Sequence, residues 1–106
     1  MSWTVEFGNA EVREELEGLA LDMQAKFFRI AALIGELGGA VREPHVKALG
    51  RGLFEMRMSG RDGIARALYV VRPVKRVVVV LCFVKKTEKI PHGMIELALR
   101  RAKEVK

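Results

Sequence analysis

The sequence is poor in the residues on which several kinds of site depend. Cys82 is the only cysteine among 106 residues, and there are two histidines. A lone cysteine excludes an intrachain disulfide, and the cysteine and histidine spacing of structural zinc sites is absent. Because Cys82 lies in an apolar run, it fits a reduced thiol that packs as a small hydrophobic residue. We therefore expect no metal, no cofactor and a reducing compartment, the cytoplasm.

Long hydrophobic runs are also lacking. The longest is Val77–Val84, eight residues, whereas a membrane span needs roughly 20. The first residues, MSWTVEFGNAEVREEL, have neither the basic n-region nor the apolar h-region of a secretory signal. Since 50% of the residues are hydrophobic, the chain predicts one compact domain spanning residues 1–106, with no membrane partner.

Positive charge is concentrated in one part of the chain. Residues 1–40 contain three basic and seven acidic residues, a net charge of −4, whereas residues 41–106 contain 16 basic and six acidic residues, a net charge of +10. Such a concentration of lysine and arginine indicates a polyanionic partner, most often a nucleic acid. The alternative is a well-solvated surface with no such partner.

The first 40 residues predict a strand followed by helix. The segment WTVEF alternates apolar and polar residues, the period of a half-buried strand. Asn9 is a good N-cap, and apolar residues then recur in steps of three and four as far as Leu37. Gly18 is a possible break, so one long helix and a helical hairpin both remain open.

The rest of the chain predicts three strands and a final helix. The segment AVREPHVKALGRG is polar and contains proline and glycine, which favours a loop. LFEMRMS and IARALYVVR predict two strands, and the unbroken apolar run RVVVVLCFV predicts a central strand covered on both faces. Pro91 suits the start of a helix. The fold class is therefore α+β: a small, mainly antiparallel sheet with the N-terminal helix or helical hairpin on one face, and a C-terminal helix.

Cations at strand positions are the main candidates for a site. The middle strand of a meander neighbours both others, so Arg57, Arg66, Lys85 and Lys86 can converge on one sheet face. Fixed guanidinium and ammonium groups there would bind phosphate. The alternative for the arginines is an ion pair within the sheet, for example with Glu55, and for the lysines simple solvation. Gly-rich phosphate loops and serine-nucleophile motifs are absent.

Three segments of the sequence resemble a known family. KALGRGLFEMRMSG, ARALYVVR and VVVVLCFVKKTEKIPHGMIELALRRAKE are similar to the RelE/HigB superfamily of toxins, specifically its phage-derived HigB-like branch. The resemblance covers Pro44 to Glu104. It implies a RelE-like order of elements, β-α(α)-β-β-β-α, and the toxin of a type II toxin–antitoxin system.

The resemblance also implies an activity and partners. Such toxins are typically ribosome-dependent mRNA endonucleases that need no metal, because the RNA 2′-OH attacks the adjacent phosphate. The products are a 2′,3′-cyclic phosphate and a 5′-OH. The implied partners are the ribosome, mRNA and a cognate helix-turn-helix antitoxin.

Roles follow for particular residues. Arg57 and Arg66 match the strand arginines of the family, Lys85 matches a basic position at the end of the last strand, and these three are the candidate catalytic residues. The chemistry also needs a proton acceptor and a proton donor. Glu55 is expected to orient Arg57 and not to act as a base. The candidate residues for binding RNA or the ribosome are His45, Lys47, Tyr69, Lys86 and Lys89.

Three of these residues, Tyr69, His45 and Lys47, keep two alternative roles. Tyr69 would stack on a base or donate a proton if exposed, but would be core packing if it faces inward. His45 and Lys47 would supply proton transfer or bind ribosomal RNA.

The sequence departs from the family at Ala65, where a tyrosine is common, and at Ile90, where a threonine often caps the helix. Loss of that cap costs about 1 kcal/mol.

Two other functions remain compatible with the sequence. One is a non-catalytic RNA- or ribosome-binding module with the same fold. The other is a protein-interaction domain whose basic surface binds an acidic partner.

Overall fold

The computed structural model describes residues 2–85 and 89–106. Within these ranges one sheet has the strand order β1-β5-β4-β3-β2. The strands are β1 (Thr4–Phe7), β2 (Val46–Gly50), β3 (Leu53–Gly60), β4 (Gly63–Arg72) and β5 (Arg76–Lys85), and the helices are α1 (Ala10–Glu17), α2 (Leu21–Leu37) and α3 (His92–Lys103).

The sheet is an antiparallel meander with one parallel strand added. Strands β2 to β5 pair in sequence order, and β1 pairs in parallel with β5. The valines of β5 have stiff, β-branched side chains that favour extended backbone. As the apolar run predicts, β5 is covered on both faces. It is not the middle strand, however: β1 adds at its edge, so β4 is the middle one.

Helices cover both faces of the sheet. Helix α1 packs against β5 and α2 against β3 on one face, and α3 packs against β4 and β5 on the other. The period of two in β5 divides its side chains between these layers: Val77 and Val79 belong to the α1/α2 core, and Val78 and Val80 to the α3 core. Each buried valine contributes roughly 1.5 kcal/mol or more.

The N-terminal helical stretch is a hairpin of two helices. Helix α1 ends at Glu17 and α2 begins at Leu21, so the break predicted at Gly18 is confirmed. The predicted N-cap is confirmed too, since the Asn9 side chain accepts a hydrogen bond of 3.0 Å from the backbone N–H of Val12. Glycine within a helix costs about 1 kcal/mol relative to alanine, which favours ending α1 there.

The loop predicted before the arginine strands is partly wrong. Val46–Gly50 forms β2, which pairs with β3 in the register Lys47↔Glu55. The segment is short and rich in small or polar residues, so its sequence lacks strong alternation. Its strand structure comes from hydrogen bonding to β3, a tertiary contact that overrides weak local preference.

The edge of β5 is protected where β1 ends. The pairing with β1 stops at Val79. Beyond it, the backbone N–H of Cys82 donates to the Glu15 carboxylate at 3.1 Å, and the Arg101 guanidinium donates to the carbonyl of Val80 at 2.9 Å. Arg101 also pairs with Glu15 at 2.9 Å. Side chains of α1 and α3 therefore satisfy strand groups that would otherwise be exposed at an edge.

Cys82 is expected to make the protein less stable in alkaline solution. Burial, reinforced by the charge of Glu15, raises the pKa of the thiol from 9.0 to about 12. The folded state keeps a proton that the unfolded state releases above pH 9. The contribution is complete below pH 9 and is lost towards pH 12, by ~1 kcal/mol between pH 9 and 10. Thermal unfolding at pH 8 to 10 tests this: Tm should fall less steeply for Cys82→Ala than for the wild type, and parallel curves would contradict it.

Candidate functional site

A groove opens on the α3 face of the sheet. It lies at the end of the sheet that carries the β3–β4 turn and the last residue of β5, Lys85. Its volume is about 980 Å³. The described residues that line it are five cations (Lys47, Arg57, Arg66, Lys85, Lys89), one carboxylate (Glu55) and an apolar set (Leu49, Gly63, Ile64, Ile90, Ile95). With five positive charges and one negative charge, this lining has a net charge of +4. The groove is suited to an anion.

Strand register brings these side chains to one face. Arg57 of β3 lies directly opposite Arg66 of β4. Lys85 of β5 lies opposite Ile64, which is two residues before Arg66 on the same face. Lys47 of β2 lies opposite Glu55, two residues before Arg57. Directly opposite residues have Cβ atoms about 5 Å apart, so four strands supply one compact set of charges.

Glu55 lies at the centre of this set. It is only 2% exposed. One carboxylate oxygen, Oε1, is 3.2 Å from the Nε of Arg57, and the other, Oε2, is 3.0 Å from the Nε of Arg66. A buried carboxylate is strongly disfavoured unless it is paired. Glu55 is therefore held by two guanidinium groups, and it in turn fixes both of them.

The two arginines differ in their access to solvent. The Arg66 side chain is 6% exposed and that of Arg57 is 33% exposed. Both contact Glu55 through Nε, the inner nitrogen of the guanidinium group. Because the planar group carries further N–H donors on its terminal nitrogens, the half-buried Arg57 can present donors to a ligand while remaining bound to Glu55.

The structure brings together five of the residues predicted from the sequence: Lys47, Arg57, Arg66, Lys85 and Lys89 all line the groove. His45 is half-buried and accepts a hydrogen bond of 3.0 Å from the backbone N–H of Arg57 through its carbonyl, but its side chain is not part of the described lining. Lys86 lies outside the described residues.

Tyr69 lies on the opposite face of the sheet. It is 6% exposed and stacks on Phe54, with ring centroids 5.3 Å apart. Burial raises the pKa of its hydroxyl to about 12. The structure thus supports the packing alternative for Tyr69 and separates it from the cations of the groove.

The patterns in the sequence do not predict the apolar side of the groove. Leu49, Ile64, Ile90 and Ile95 come from four different elements or connections, so no local pattern links them. Only the position of Ile64 could have been predicted, because it precedes Arg66 by two residues in a strand and must share its face.

Two further observations concern other kinds of site. Across residues 2–85 and 89–106, no group of three or more histidine, cysteine, aspartate or glutamate side chains is placed to hold a metal ion. In the same ranges, no helix is long and apolar enough to cross a membrane.

Comparison with known proteins identifies relatives. The family model described as "Phage derived protein Gp49-like" matches residues 14–103. A search of curated proteins found no significant match. Among solved structures, the archaeal RelE–RelB complex from Pyrococcus horikoshii matches with a TM-score of 0.59 and 18% identity over 81% of this chain and 98% of the other. The free state of an arginine-to-alanine double mutant of E. coli toxin RelE matches with a TM-score of 0.68 and 15% identity over 95% and 98%.

The two structural matches support the fold predicted from the sequence. The α+β class and the RelE-like arrangement of a mainly antiparallel sheet with helices are confirmed. The additional strand β2 extends the predicted order of elements.

Proposed function

Because the chain belongs to the phage-derived Gp49-like family of RelE/HigB-like proteins, we propose that it is the toxin of a type II toxin–antitoxin system. Its activity is cleavage of mRNA on the ribosome. The observation that carries the proposal is the groove in which Glu55 holds Arg57 and Arg66 beside Lys85.

The proposed reaction has simple chemical requirements. The 2′-oxygen forms a bond to the adjacent phosphorus and loses its proton, while the bond from phosphorus to the 5′-oxygen breaks and that oxygen gains a proton. Negative charge builds on the phosphate oxygens during the transfer. Fixed cations stabilise that charge best when they are already oriented before reaction. The nucleophile belongs to the RNA, so the reaction needs no metal-bound water.

The groove supplies the required positive charge. Arg57 and Arg66 are assigned to the phosphate oxygens because guanidinium forks match their geometry. Lys85 is assigned to the same phosphate or to the leaving oxygen. Lys47 and Lys89 lie at the same groove and are assigned to neighbouring phosphates of the RNA backbone.

The proposed toxin would have an antitoxin, the ribosome and mRNA as partners. A P. horikoshii RelE has been solved in complex with a RelB protein. By analogy, a small antitoxin neutralises this chain, and we propose that it has a helix-turn-helix fold. The ribosome and mRNA are the targets, so the protein acts in the cytoplasm.

Induced expression without an antitoxin is expected to stop bacterial growth and to cut translated messages. The measurement is growth together with primer extension on abundant messages before and after induction, with an antibiotic that blocks translation as the control. New 5′ ends should appear only on translated messages. Growth arrest without new 5′ ends would replace cleavage by non-catalytic ribosome binding. Normal growth with abundant, folded protein would overturn the toxin assignment.

A further inference from the structure

The cationic groove has a second, apolar side that the cleavage chemistry does not use. We call the side chains of Leu49, Ile64, Ile90 and Ile95 the aliphatic wall. Three of them, all except Ile64, pack against the α3 core and are partly buried. Ile64 belongs to neither core cluster and is 41% exposed. The wall is therefore an apolar surface with one exposed member, placed beside the cations of the groove.

The turn that precedes Ile64 is held by a contact with helix α2. The Asp22 carboxylate of α2 accepts a hydrogen bond of 2.7 Å from the backbone N–H of Arg61, in the β3–β4 turn. Gly60 leaves room for this contact, since a Cβ there would lie 2.7 Å from the same carboxylate. The turn is held against α2, so the strand position that follows it is well defined.

Distances along the strands match the two parts of a nucleotide. Ile64 lies opposite Lys85, and Arg66 follows Ile64 by two residues on the same face. Residues two apart in a strand are separated by about 7 Å. One nucleotide can therefore place its phosphate on the cations and its base on the aliphatic wall. The groove, at about 980 Å³, lies at the upper end of the range for ligand sites, roughly 300–1,000 Å³.

We propose that the aliphatic wall is a nucleobase subsite, in which the flat face of one RNA base lies against Ile64 while its phosphate is bound by the cations. This deepens the proposed function and depends on it for the identity of the ligand as RNA. None of the chain's aromatic rings is among the described lining residues, so the base packs on branched aliphatic carbon and does not stack on a ring. RNA-binding sites more often use aromatic side chains for this purpose.

The chemistry of the wall sets its selectivity. Isoleucine and leucine side chains have no hydrogen-bond donors or acceptors, so they cannot read the edge of a base. Apolar contact grows with the area covered, and purines have the larger face. The subsite should therefore prefer purines to pyrimidines by a few-fold, with little difference between adenine and guanine.

The test compares base-containing and abasic probes. The probe is a trinucleotide with a central adenine and 2′-deoxy sugars, which lacks the nucleophile and cannot be cut. The matched probe has an abasic central position. At low salt, the wild type should bind the adenine probe about fivefold more tightly than the abasic probe, a modest gain compared with stacking on an aromatic residue. Binding is measured by NMR titration.

The variants are Ile64→Ala and, as its control, Val84→Ala. Val84 is also 41% exposed and lies opposite Ala65, so it occupies the same end of the sheet on the other face. Ile64→Ala should remove most of the difference between the two probes, and Val84→Ala should leave it intact. Ile95→Ala, a second wall residue, should behave like Ile64→Ala.

The binding results either support the nucleobase subsite or overturn it. Equal binding of the two probes by the wild type would overturn the subsite, as would equal losses in Ile64→Ala and Val84→Ala. Base-dependent binding that disappears in Ile64→Ala supports it, even if no cleavage occurs on the ribosome. In that case the proposed cleavage fails while the subsite stands.

Discussion

Arg57→Ala is expected to slow cleavage of translated mRNA by at least about 100-fold while leaving the protein folded. Removing one preorganised donor to a developing oxyanion typically costs this much. Arg57 reaches the groove with a side chain that is 33% exposed, so truncating it leaves no large cavity. Glu55 keeps its second partner, Arg66, at 3.0 Å. The measurement is the cleavage rate on programmed ribosomes, with thermal unfolding as a check of folding.

The control for this variant is Arg51→Ala. Arg51 has a 64% exposed side chain, pairs with Glu96 at 3.4 Å, and is not among the described groove residues. Both variants lose one positive charge, so general attraction to polyanions falls equally. If the two variants cut RNA at the same rate, Arg57 has no special role. Arg57→Lys should recover only part of the rate, because an ammonium group lacks the bidentate fork.

Much of the fold follows from strong local patterns in the sequence. The alternation of LFEMRMS, the apolar run of β5 and the glycine at the helical break are each set by local preference and burial. The strand β2 was missed because its pairing with β3 comes from tertiary hydrogen bonds. Local patterns also do not specify that β1 pairs in parallel with β5, since that contact joins residues about 70 positions apart.

The candidate site was predicted in part for a similar reason. A period of two in adjacent strands places Arg57 and Arg66 on one face. Lys85 shares that face because the β4–β5 register shifts at a bulge, where Leu68 pairs with Leu81 but Tyr69 pairs with Val79. Tyr69 also follows the period of two, because its odd number puts it on the face opposite Arg66 in the same strand. Its partner Phe54 lies opposite it in β3 and stacks on it. The sequence could not supply the aliphatic wall, which depends on how α3 and its preceding connection pack beside the sheet.

Glu55→Ala is expected to destabilise the protein strongly. It would leave the Arg66 guanidinium, whose side chain is 6% exposed, without its carboxylate. Removing one partner of a buried ion pair costs about 3–5 kcal/mol, which corresponds to a fall in Tm on the order of 20 °C for a domain of this size. Glu55→Gln should lose less, because its amide oxygen can still accept a hydrogen bond from one arginine. Thermal unfolding of the two variants measures the difference.

The Glu55→Gln variant decides whether Glu55 positions the arginines or acts as a base. A positioning role predicts that Glu55→Gln keeps cleavage within about tenfold of the wild type, with an unchanged pH profile, since a folded variant still orients at least one guanidinium group. A general base predicts a loss of about 100-fold or more and the disappearance of the acidic limb of the profile.

Both carboxylate oxygens already face arginine Nε atoms, at 3.2 and 3.0 Å. Glu55 is also only 2% exposed, so neither oxygen is placed to take a proton from a 2′-OH in the groove. We therefore expect the first result, and a fully folded but inactive Glu55→Gln variant would contradict it.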